Sequence, residues 1–181
     1  MTNKFTYNAR QVVSGAILSA KELGHTYVGS EHLLLGITGL PDCTAAKLLK
    51  SAGVESGSVR EQIISLAGRG TKTGGGEDMT PKCRKILMKA SRISHDAGED
   101  VIGSEHILQA LLTEECVAKR IIEMEGASPD GLSSILEGIY LPGREGEMRI
   151  RPKTKRCETP TIDANARDLT EAARNGDIPV M

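Results

Sequence analysis

Tryptophan is absent from these 181 residues, and Phe5, Tyr7, Tyr27 and Tyr140 are the whole of the aromatic content. The apolar residues are mostly Ala, Leu, Ile and Val, mixed with Lys, Glu and Met, a composition that favours helices over strands. No CxxC pair occurs among Cys43, Cys83, Cys116 and Cys157, so each cysteine reads as a small buried or incidental thiol in a reducing compartment. An apolar run of signal-peptide length is missing from the N-terminus, and no later segment is apolar enough to span a bilayer. The expectation is a cytoplasmic protein with no membrane partner. Charge of one sign is lacking too: 23 Lys plus Arg stand against 24 Asp plus Glu. No global field draws the chain to nucleic acid, and any binding has to be local.

What the sequence does contain is a repeat. Val28-Gly-Ser-Glu-His-Leu-Leu34 reappears as Ile102-Gly-Ser-Glu-His-Ile-Leu108, so that Glu31 falls on Glu105. Upstream, Thr6, Arg10, Ala16 and Gly24 fall on Thr80, Arg84, Ala90 and Gly98. Downstream, after a one-residue deletion, Cys43, Ala45, Leu49 and Gly53 fall on Cys116, Ala118, Ile122 and Gly126. A whole folding unit is duplicated, and each copy reads as four helices.

Thr6 precedes a stripe of Ala9, Val12, Val13, Ala16, Ile17 and Ala20 at helical spacing, which Gly24 ends. Thr80 precedes Pro81, well tolerated at a first helical position, and then Ile86, Leu87, Ala90 and Ile93. In the Gly-Ser-Glu-His segments Ser30 and Ser104 are expected to cap the second helices, with Glu31 and Glu105 as first-turn charges. Third helices are expected around Ala45–Ala52 and Ala118–Glu125, and fourth helices around Val59–Ala67 and Leu132–Ile139. The fold class is therefore all-α: pseudo-twofold duplicated four-helix repeats making eight helices. Residues 3–68 form the first repeat and 79–141 the second. Between them, residues 69–78 are glycine-rich and polar enough to read as a flexible linker. A second linker over 142–160 carries the basic stretch Arg149 to Arg156, which lacks interleaved aromatics and reads as solvated.

The duplication, Leu23-Gly24-His25 and Gly29 to Gly36 together resemble the N-terminal repeat domain of the Clp ATPases, most like the ClpC type. The resemblance covers about residues 3–141. Thr159 to Arg174 resembles the segment by which such chains enter their first ATPase domain, here 161–181 and truncated. No GxxxxGK[ST] occurs, so ATP hydrolysis is not expected of this chain, and neither a catalytic residue nor a cofactor is. The resemblance implies a module that receives protein substrates and adaptor proteins for an ATPase ring, and through that ring serves a Clp peptidase. Two other readings are a free-standing truncated homologue acting as adaptor or decoy, and a fragment of a complete unfoldase. The isolated chain is expected to be a monomer, because rings in this family rest on the ATPase domains.

ClpC-type domains also bind phosphoarginine-tagged proteins in Gram-positive bacteria. Such a ligand needs hydroxyls and free backbone N–H groups for its phosphoryl group and a carboxylate for its guanidinium. Thr6 with Glu31, and Thr80 with Glu105, are the pairs that each repeat could offer. The same residues suffice as helix caps and first-turn charges. His32 and His106 follow the glutamates, but adjacent helical residues diverge and no HExxH or Cys/His pair completes a set, so structural packing or a helix-turn hydrogen bond is expected and no metal. His25 and His95 are expected to face solvent.

Overall fold

Two threonines open the two halves of the molecule in the same way. Thr6 Oγ1 accepts the Ala9 N–H at 3.2 Å, and Thr80 Oγ1 accepts the Cys83 N–H at 3.1 Å, each satisfying a donor that the first helical turn leaves unpaired. In the computed structural model, which describes residues 4–70 and 78–140, the first half contains α1 (Tyr7–Leu23), α2 (Ser30–Thr38), α3 (Thr44–Ser51) and α4 (Ser56–Ala67). The second half repeats them as α5 (Pro81–Asp96), α6 (Ser104–Thr113), α7 (Val117–Met124) and α8 (Pro129–Tyr140). The fold is all-α, as expected. Residues 142–160, with the basic stretch and Cys157, and residues 161–181 lie outside the described residues, as do 71–77 of the first linker. No described helix is long and apolar enough to cross a membrane.

The halves are not separate globules. Four two-residue strands, β1 (Lys4–Phe5), β2 (Tyr27–Val28), β3 (Asp78–Met79) and β4 (Val101–Ile102), pair across the repeat. β1 runs parallel to β4 with Phe5 opposite Ile102, and β2 runs parallel to β3 with Val28 opposite Met79. The helices cross over as well: α2 packs on α5, α6 and α7, α3 on α6, and α4 on α7. Ser30 Oγ accepts the Ala118 N–H at 3.4 Å, so a residue of the first repeat satisfies a donor at the start of a helix in the second.

Alternation of burial follows the helical period. Ala9, Val12, Ala16 and Ala20 of α1 are buried with Leu33, Leu34 and Ile37 of α2, and Cys83, Ile86 and Ala90 of α5 with Ile107, Leu108 and Leu111 of α6. Positive φ is confined to glycine in the described residues, among them Gly24 at +71°, which closes α1, and Gly53 and Gly126 at +83° in quasi-equivalent turns. The start of the first linker is held rather than loose. Gly70 N–H donates to Leu23 O at 2.8 Å, and Gly68 O is an acceptor for the His25 ring.

Candidate functional site

The strand pairs decide which residues meet. Thr6 N–H donates to Ile102 O at 2.9 Å, which sets the start of α1 beside the start of α6 and its Glu105. Thr80 N–H donates to Val28 O at 2.9 Å, which sets the start of α5 beside the start of α2 and its Glu31. The threonine-capped helix start of each repeat therefore lies beside the glutamate-bearing helix start of the other. Pairing Thr6 with Glu31 and Thr80 with Glu105, as repeat membership suggests, is corrected by this crossing: two-residue parallel strands exchange partners between the halves.

Each crossing brings together two helix starts, a threonine hydroxyl and one carboxylate. Helix starts present unpaired N–H groups and the positive end of the helix dipole. The donor sets differ. At α1, Tyr7 and Asn8 both carry an N–H in the first turn, whereas at α5 Pro81 has none and only Lys82 offers one before Cys83. Glu31 and Glu105 are partly covered, with side chains 17% and 21% exposed, and so remain reachable from solvent.

The glutamates fold back over glycine. A Cβ on Gly29 or Gly103 would collide with the carboxylate of Glu31 or Glu105, so glycine at these positions leaves room for the carboxylate at the helix start. Gly29 and Gly103 are the N-caps, and Ser30 and Ser104 lie one residue inside the helices. The expected serine caps are thus corrected. The ring three residues after each glycine does the work instead, as Gly29 N–H donates to His32 Nδ1 at 3.0 Å and Gly103 N–H to His106 Nδ1 at 2.9 Å. Ser30 and Ser104 hydroxyls donate to Glu31 and Glu105 at 3.3 and 3.0 Å.

Because His32 Nδ1 accepts, its proton sits on Nε2, which donates to His25 Nδ1 at 2.8 Å; His25 Nε2–H then donates to Gly68 O at 2.9 Å. His25 is therefore a half-buried link between the Glu31 helix start and the linker, and the expectation that it faces solvent is corrected. His95 is exposed. In the second repeat Glu99 occupies the place of His25, with Oε2 3.8 Å from His106 Nε2. Ligand atoms of Glu99, Glu105 and His106 lie within 4.8 Å of one another. Only His106 is enclosed, Glu99 is exposed and Glu105 is partly so, which makes three ligand atoms at an open position rather than a closed four-ligand site.

Burial raises the Glu31 carboxyl, but the groups around it outweigh burial and hold it below its ordinary value: the His32 ring, its own backbone N–H and the Ser30 hydroxyl. Since the folded-state pKa is depressed, the stability that Glu31 adds is present above its ordinary value of 4.5 and is lost as pH falls through the lowered one. Glu31→Gln should therefore flatten the acid limb of a stability-versus-pH curve below about pH 4.5 while leaving its shape near neutrality unchanged. Chemical denaturation between pH 2 and 7 measures this, and a limb as steep as in the parent would contradict it. Cys83, buried beside this site, is pushed up to about 12 by burial and then by the Glu31 charge. It remains a thiol at neutral pH and is not a nucleophile.

The model of the Clp repeat (R) N-terminal domain matches this chain over residues 4–124 and again over 78–156. Chaperone protein ClpC, chloroplastic, of Pisum sativum is 33% identical over 187 residues, covering 100% of this chain and 20% of that protein. Negative regulator of genetic competence ClpC/MecB of Bacillus subtilis (strain 168) is 32% identical over 184 residues, covering 100% and 22%. The chain thus spans about a fifth of the length of these relatives. Among solved structures, the N-terminal domain of ClpD from Arabidopsis thaliana superposes with a TM-score of 0.64 at 21% identity, over 76% of this chain and 96% of that one. A complex of the ClpV N-domain with VipB peptide superposes with a TM-score of 0.59 at 22% identity, over 74% and 85%. These two likenesses concern the fold.

Proposed function

The chain belongs to the Clp N-terminal repeat domain family, and on that premise we propose that it is a recognition module that captures protein substrates or adaptors for an ATP-dependent Clp unfoldase and reads phosphoarginine at two sites. It does no chemistry itself. An attached or partner ATPase ring unfolds what it delivers and passes it to a Clp peptidase. The isolated module works as a monomer.

One observation carries the reading: each threonine-capped helix start stands beside a reachable glutamate of the other repeat. Free N–H groups and a hydroxyl suit the phosphoryl oxygens, and the carboxylate suits the guanidinium portion. A fold that accepts a peptide in the ClpV complex supports the broader part, that this domain takes protein segments. Calorimetric titration with free phosphoarginine tests the finer part. The wild-type chain should bind two equivalents, Glu31→Ala and Glu105→Ala one each, and plain arginine or phosphate should not saturate. A folded wild-type chain that gives no saturable heat ends the phosphoarginine reading and leaves the glutamates as helix-start charges.

A further inference from the structure

The repeat gives each half a groove along the outer face of its first helix, and the two grooves have diverged in chemistry. In the first half the groove is about 360 Å³ and is lined by Gln11, Gly15, Leu18 and Leu40, among others. In the second it is about 470 Å³, and the residues at the same repeat positions are Lys85, Lys89, Arg92 and Glu114. A groove with a glycine floor, whose lining charges are the paired Glu22 and Arg60, has become one lined by three cations and two carboxylates. Lys85, Met88, Lys89 and Arg92 follow the three- and four-residue steps that place side chains on one helix face.

Glu114 accounts for part of the cation content. Its carboxylate takes Lys89 Nζ at 2.9 Å on one oxygen and Lys85 Nζ at 3.0 Å on the other, and these hydrogen bonds hold it down to about 2. With Asp96 also lining the groove, three cations stand against two carboxylates, an excess of one positive charge. Arg92 is exposed and makes no ion pair among the described residues. Between the cations lie carbon surfaces: Met88 is 60% exposed and Ile93 is partly buried beside it. A phosphate backbone would leave the carbon surface of Met88 and Ile93 uncovered, which points away from nucleic acid. A carbon floor with a cationic rim instead complements an amphipathic segment whose polar face is acidic.

We propose that the α5 groove docks an acidic amphipathic segment of a partner protein, with its apolar residues on Met88 and Ile93 and its carboxylates toward Lys85, Lys89 and Arg92. The surface is separate from the Thr and Glu sites, and free phosphoarginine does not compete for it. The first-repeat groove does not share the activity.

Fluorescence anisotropy of a labelled helical peptide of about 15 residues, apolar on one face and glutamate-rich on the other, tests this with the full chain. Saturable binding should weaken about tenfold on Arg92→Glu and should fall as salt rises. Met88→Ser should weaken it as well, whereas Leu18→Glu at the quasi-equivalent exposed position should leave it unchanged. Thermal melts confirm that each variant is folded. No saturation by the acidic peptide overturns the proposal. So does equal binding by wild type and Arg92→Glu, equal weakening by Leu18→Glu, or equal affinity for a single-stranded oligonucleotide of the same length.

Discussion

Gly36→Ala should lower the melting temperature by roughly 3–8 °C, although the same substitution at Gly138 should raise it slightly. Alanine is favoured over glycine inside a helix by about 1 kcal/mol, so propensity alone predicts stabilisation at both positions. At Gly138 a Cβ meets nothing within 4 Å. At Gly36 it would collide with Val12 O and lie 2.9 Å from Ala16 N. Both are backbone atoms of α1 and cannot rotate aside, so the two helices must separate. Overpacking costs about 1–3 kcal/mol, and against rigid backbone the upper part of that range, about 2–3 kcal/mol, applies, which leaves a net loss of about 1–2 kcal/mol. The tight crossing is peculiar to the first repeat, where Gly15 also lies against Gly36; the second repeat has Lys89 and Ala110 at the same positions. Differential scanning calorimetry decides the matter, and a Gly36→Ala chain as stable as wild type would mean that the helices do not meet this closely in solution.

Leu34→Ala should cost about 2–5 kcal/mol, as expected for emptying a fully buried leucine site, and the loss should reach the other repeat. α2 packs against α1, α3 and α4 of its own half and against α5, α6 and α7 of the other. With β1 on β4 and β2 on β3, neither half has an independent core to retreat to. Unfolding should remain a single transition, and amides in α8 should lose hydrogen-exchange protection together with those in α1. Protection retained in α5–α8 of the variant would show two separately stable repeats.

Much of this architecture was legible. A duplicated Gly-Ser-Glu-His segment, threonine caps at matching positions and apolar stripes at helical spacing specify eight helices in two sets, and the caps at Thr6 and Thr80 stand where they were expected. His32 and His106 make the expected helix-turn hydrogen bonds. The crossing was not legible, because a two-residue strand has no period to read and its partner lies in the other repeat. Repeat membership therefore suggested Thr6 with Glu31, where the ladder sets Thr6 beside Glu105. In sequence the serines read as caps because glycine has no side chain to cap with; a histidine three residues on supplies the bond. His25 looked like a turn residue, since its role depends on Gly68, 43 residues away. The sequence motif already contained the glycines on which the glutamates fold back, but their purpose shows only with the carboxylates in place.

The central claim is that the two recognition sites are assembled across the repeats, and the number of phosphoarginine equivalents bound by two double variants tests it most directly. Glu31→Ala with Thr80→Ala removes both halves of one site and should leave one equivalent. Glu31→Ala with Thr6→Ala strikes both sites and should leave none. Each threonine change also removes a helix cap worth about 1 kcal/mol, so circular dichroism must first show both variants folded. The opposite pattern, none for the first pair and one for the second, would place each site within a single repeat and contradict the account.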